Sequence, residues 1–163
     1  MENIGIPTVW IDHVAYKKQK HKQCAFSLYI AAMCKIATPV LAKAFDEYQF
    51  AAEIEMWGQK ILKATISKYW DSAKKVFVCK KTWIREENEL RYCDRSLAMA
   101  VLYGLNPLKN DLFSIHILAD KLKELGLSYS ANANWRYWAL AKGKRMDIIL
   151  NEFRTIWYPS PSV

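Results

Sequence analysis

The stretch Trp135-Arg136-Tyr137-Trp138-Ala139-Leu140-Ala141-Lys142-Gly143-Lys144-Arg145 interleaves four cationic groups with three large aromatics. That mixture suits a polynucleotide, because bases stack on aromatic faces while phosphates pair with Arg and Lys. Near the other end, Lys17, Lys18, Lys20 and Lys22 form a run able to neutralise phosphates and release their counterions. Between the two lies Leu118–Leu127, a helical pattern with Gly126, followed by Ser128–Trp135, which opens a second helix with Ser and Asn. This is the outline of a helix-turn-helix, which would set Ser130, Asn132 and Asn134 toward base edges. Asn pairs bidentately with adenine. The expected nucleic-acid contacts are therefore Arg136 and, on phosphates, Lys17, Lys18, Lys20, Lys22, Lys142, Lys144 and Arg145. Asn132 and Asn134 would read bases, and Trp135 or Tyr137 would stack. Trp138 and Lys142, four apart on a helix, are expected to form a cation–π pair.

Other chemistry finds little purchase. The chain has no Gly-rich phosphate loop, no GxSxG and no HExxH. Its three histidines stand at 13, 21 and 116, and His21 with Cys24 has a metal-like spacing that Cys34 does not complete. No metal and no cofactor are expected. Glu53 and Glu55, two apart, diverge on a helix, and Glu86, Glu87 and Glu89 read as a solvated corner beside Lys80, Lys81 and Arg85. His116, inside an apolar helix, is expected at the core or its boundary. The pattern points away from an enzyme.

The elements that must carry these residues follow from composition and punctuation. The chain has 163 residues, 52% hydrophobic and 25% charged, with only five Gly and five Pro. That is one globular domain's worth of chain with too few breakers for a β-sandwich. Net charge is +8, carried mainly by residues 1–44 and 101–163, which bears on attraction to polyanions and not on fold. The expected fold is all-α, a single compact domain of six or seven helices over 1–163, with an irregular lead-in at 1–9 and a tail at 159–163. An apolar helix should run from Cys24 to Ala37. Thr38-Pro39 should start a second, reaching Trp57 and continuing through Gly58 to Tyr69. The segment 74–93 fits helix and short β-hairpin equally, so a hairpin near 75–93 is the alternative there. Asp94 should cap a helix ended by Gly104, and Asn106-Pro107 should start another ended by Gly126. A helix from Ser128 or Ser130 should end at Gly143, and Met146, Ile149, Leu150, Phe153, Ile156 and Trp157 form a last apolar stripe.

The expected core is Phe26, Leu28, Ile30, Phe45, Trp57, Ile61, Leu97, Leu102, Leu112, Ile115, Leu122, Trp138, Ile149 and Phe153. Cys24–Cys34, the most apolar stretch, is shorter than the roughly 20 residues a membrane span needs, so it reads as a core helix and no membrane is expected. Without a basic, apolar and cleavable leader, and with four cysteines outside CxxC spacing, the chain is expected in the cytoplasm. Two functions compete on this footing. The first is a basic nucleic-acid-binding regulatory protein, partner DNA or RNA. The second is a helical adaptor or inhibitor binding a protein partner, or itself as a homodimer, through Trp-, Tyr- and Met-rich surface.

Overall fold

A computed structural model describes residues 23–78, 92–120, 125–126 and 133–159. Seven helices form there: α1 (Gln23–Ala32), α2 (Thr38–Ala44), α3 (Tyr48–Tyr69), α4 (Asp94–Leu102), α5 (Asp111–Asp120), α6 (Asn134–Lys142) and α7 (Met146–Glu152). Strands β1 (Trp70–Asp71) and β2 (Val76–Phe77) make an antiparallel hairpin, and β3 (Tyr92–Cys93) runs parallel to β4 (Leu125–Gly126). The fold is all-α with a short β-hairpin.

α1 does not stop before Thr38. A five-residue π-helical segment, Met33–Ala37, carries it into α2, and the Thr38 N–H bonds Met33 O. Pro39 explains the widening: it has no N–H to donate, and its ring would strike the carbonyl of Lys35 in an unbroken α-helix. Pro39 thus sits inside a continuous helical run rather than starting a free-standing helix. The run Gln23–Ala44 is 22 residues, with a window of mean hydropathy 1.6 that is 33% buried. By length and composition alone it is long and apolar enough to cross a membrane.

The helix expected from Pro39 to Tyr69 breaks at Phe45–Glu47. Asp46 takes a left-handed conformation, φ 61°, and Glu47 N–H closes back on Ala42 O at 2.9 Å. Asp tolerates that region better than most residues. α3 then returns antiparallel as 22 residues straight through Gly58. A Cβ at Gly58 would lie 2.7 Å from Lys35 N and 3.0 Å from the Cys34 carbonyl carbon. The glycine is there so that α3 can touch the backbone of the π segment.

α4 is the centre. Every residue from Asp94 to Val101 is buried, and small Ser96, Ala98 and Ala100 let α1, α5 and α6 approach it. It ends as the sequence implies, with Gly104 at φ 63° and Leu105 N–H on Ala100 O at 2.8 Å. Phe77, Leu28, Leu118, Leu140 and Ile149 close the core around it and its Leu97.

Several expected positions move. α5 starts at Asp111, with Asn110 Oδ1 accepting the Phe113 N–H, so Asn110 is the cap. Asn106 is instead buried, its side-chain amide bonding Ser114 Oγ at 2.9 Å. Leu125–Gly126 form a strand beside Tyr92–Cys93, not a helix end. Of the expected core, Phe45 (78% exposed), Leu112 (71%), Trp138 (58%), Trp57 (56%) and Phe153 (48%) face outward. Phe26, Ile30, Ile61 and Leu102 are half-buried, and Leu122 and the acidic corner at Glu86, Glu87 and Glu89 lie outside the described residues.

Candidate functional site

The basic-aromatic string folds as α6 and the turn after it. Asn134, Trp138 and Lys142 stand at helical spacing on the outward face, all three exposed. Arg136 faces the opposite way and is only 2% exposed. Its Nη1 donates to Glu152 Oε2, its Nη2 donates to Leu118 O at 2.9 Å, and its Nε lies 3.9 Å from Asp94 Oδ2. One guanidinium therefore ties together α4, α5, α6 and α7. Arg136 is withdrawn from the expected nucleic-acid contacts, because a charge enclosed by two carboxylates in the core cannot meet a polyanion without unfolding its surroundings.

The remaining cations of the string are mostly engaged. Lys142 Nζ donates to Asp111 Oδ2 at 2.8 Å and to Val101 O at 2.9 Å, bracing the C-terminus of α4 against the start of α5. The expected cation–π pair with Trp138 is replaced by these bonds. Arg145 makes two bonds to Asp147, at 3.0 and 2.9 Å, which hold the guanidinium pKa up and the Asp147 carboxyl below its ordinary value. Lys144 is exposed and adopts φ 59°, while Arg145 N–H closes on Leu140 O at 2.9 Å. Lys144, not Gly143, is thus the left-handed residue of this helix end. Gly143 serves a close approach, since a Cβ there would sit 2.5 Å from Ile115 Cγ2.

Trp135 is half-buried against the core. Tyr137 packs on Phe153 with ring centroids 5.3 Å apart, and Trp157 Nε1–H donates to Tyr137 Oη at 2.6 Å. Burial raises the Tyr137 pKa. Both proposed stacking groups are committed to the protein's own packing. Asn134 is exposed, whereas Lys17, Lys18, Lys20, Lys22 and Asn132 lie outside the described residues. Leu125–Gly126, where the helix-turn-helix outline sets the end of its first helix, form β4, and the turn and second-helix start at 127–132 lie outside the described residues. His116 is a surface residue, 2.9 Å from Asp120 on the same helix. Among the described residues no three His, Cys, Asp or Glu side chains gather as a metal site would require.

A different surface emerges on the hairpin of α1–α2 and α3. Tyr29, Met33, Ile36, Val40, Leu41 and Phe45 are all exposed along the first helical run, at 37–78% of their surface. Tyr48, Phe50, Met56 and Trp57 extend the exposed apolar surface onto α3. Of these, Phe45 and Trp57 were expected in the core, because helical period marks an apolar face without saying whether a neighbour covers it. A groove of about 560 Å³ bordered by Phe153, Arg154, Trp157 and Tyr158 adds a smaller aromatic surface at the other end of the chain. No family model, curated protein or solved structure matches the chain.

Proposed function

We propose that this chain is a helical interaction protein that docks a protein partner through the outer face and tip of its N-terminal hairpin. The observation that carries the reading is the row Tyr29, Met33, Ile36, Val40, Leu41 and Phe45, exposed together on one helical run. Contiguous apolar surface of this kind on a soluble fold is costly to leave in water and marks sites of association. A partner helix with an apolar stripe would pack there as helices do within a core, with aromatic and Met side chains supplying most of the binding energy. The test is a photo-crosslinking residue at position 45 in the full-length protein. Discrete heterologous adducts that vanish with Ile36→Glu support the reading, and only self-adducts or none overturn it. Sedimentation with lipid vesicles, run alongside, separates membrane adsorption as a competing outcome.

Contact with a nucleic acid is the second reading. Its specific support is now Trp138, exposed between Asn134 and Lys142 on the outward face of α6, with Lys144 beyond them. A mobility-shift titration at two salt concentrations tests it, because phosphate contacts require affinity to fall steeply with salt. Absence of a shift at low salt removes it.

A further inference from the structure

The outward face of α3 reads Phe50, Glu53, Trp57, Lys60 and Ala64, at steps of three and four, and all five are exposed. These positions share one stripe of the helix. Read against its own reverse, the stripe is complementary about Trp57. Phe50, the larger end, meets Ala64, the smaller. Glu53 meets Lys60. Trp57 meets itself.

We propose that a second copy of this chain occupies this face, the two α3 helices packing antiparallel across a two-fold axis at Trp57. Such an isologous contact uses each pair twice, so two Glu53–Lys60 ion pairs would flank the paired indoles. Phe50 and Ala64 are about 21 Å apart along the helix at 1.5 Å per residue, enough for a continuous seam. The wider charge pattern agrees. Both acids of α3, Glu53 and Glu55, precede Gly58, and its bases Lys60, Lys63 and Lys68 all follow it. An antiparallel partner therefore sets acidic half against basic half, whereas a parallel one sets like against like. That order also suits the helix dipole of a lone α3. The dipole, however, gives no reason for an exposed Trp at the centre, nor for a large residue and a small one at mirror positions. Within one chain the Lys60 ammonium rests over Trp57, 5.1 Å from the ring centre, and Gln49 bonds Glu53 at 3.3 Å. Both are exposed arrangements that a partner's side chains can replace.

The proposal rests on the hairpin being an association surface, but on a different stripe from the docking row of α1–α2. Its test is sedimentation equilibrium of the full-length protein with charge exchange. The parent should be a dimer that dissociates on dilution. Glu53→Lys alone and Lys60→Glu alone each place like charges across the axis twice and should weaken the dimer by about tenfold or more. The double variant Glu53→Lys/Lys60→Glu restores opposite pairs and should return the dimer to within a few-fold of the parent. Circular dichroism of each variant reports that the helices are intact. A parent that stays monomeric up to its solubility limit overturns the proposal, as does a dimer indifferent to the single changes or not rescued by the double. None of these outcomes depends on the crosslinks from position 45, so self-association and partner docking fail separately.

Discussion

Replacing Arg136 with Met removes a group that links four helices, and the size of the loss can be worked from its contacts. Glu152 and Asp94 are 2% and 1% exposed, and both face the guanidinium. Breaking a buried ion pair by deleting one partner costs about 3–5 kcal/mol, chiefly through the stranded charge. Losing the donor to Leu118 O adds about 1 kcal/mol, so about 4–6 kcal/mol is expected at neutral pH. A 163-residue chain at about 0.05–0.15 kcal/mol per residue holds roughly 8–24 kcal/mol in total. The variant should therefore still fold, with its melting point lowered by about 8–24 °C at about 2–4 °C per kcal/mol. The assay is urea unfolding followed by Trp fluorescence, comparing midpoints at constant slope. The decisive comparison is Arg136→Met/Glu152→Met. Removing the buried carboxylate that faced the guanidinium and supplying two apolar side chains of suitable length should leave the double variant more stable than Arg136→Met alone, with a coupling of about 2 kcal/mol or more. Lys144→Met, exposed and unpaired among the described residues, should change stability by less than about 0.5 kcal/mol. If Arg136→Met costs under about 1 kcal/mol, or the two single losses simply add, the buried network is not what joins these helices.

Gly58→Ala gains about 1 kcal/mol of helix propensity yet should destabilise by about 2 kcal/mol or more, because its Cβ meets the Lys35 and Cys34 backbone at 2.7 and 3.0 Å; an unchanged urea midpoint would refute the close crossing. Lys142→Ala should cost about 1 kcal/mol by cutting the half-exposed brace to Asp111 and Val101, and Lys144→Gly should gain up to about 1 kcal/mol by relieving a positive φ, both read from thermal melts. Tyr92 Oη–H donates to Asp71 Oδ2 at 2.7 Å, and this bond is the main cause of the lowered Asp71 pKa, helped by the Lys74 and Ala73 N–H groups. A depressed carboxyl pKa contributes stability above its unfolded value of about 3.9 and loses it as pH falls through the folded one. Tyr92→Phe should therefore cost about 1 kcal/mol at pH 7 and visibly less at pH 3; a deficit that grows on acidification would reverse the sign and refute the assignment.

The helices, their order and the glycine stop at Gly104 were legible in the sequence because each rests on local chemistry: period, caps, and a residue free to take φ > 0. What periodicity does not carry is which side of a helix finds a neighbour. In the α7 stripe Ile149 turns inward while Met146, Leu150 and Phe153 face out, and the inward place beside Ile149 belongs to Glu152. Glu152 and Arg136 are sixteen residues apart, so neither could be read as the other's partner before the helices were placed. The nearby turns misled for a related reason. Lys144 and Asp46 took left-handed conformations expected of glycine, while Gly143 and Gly58 were spent on close contacts.

Arg136 inside and Trp138 outside are one geometric fact. Two residues of an α-helix differ by about 200° in direction, so burying the arginine obliges the tryptophan to face solvent. The string that looked like a single basic-aromatic contact surface is divided by its own helix into an inner lock and an outer face. Pairing then divides its charge again. Arg136 is held by Glu152 and Asp94, Lys142 by Asp111 and Arg145 by Asp147, which leaves Lys144 as the string's one cation without an acidic partner among the described residues. A surplus of positive charge along a sequence becomes a site only through the cations still unpaired after folding. On α6 and its turn that criterion leaves one lysine, whereas the hairpin leaves a whole row of large apolar side chains uncovered.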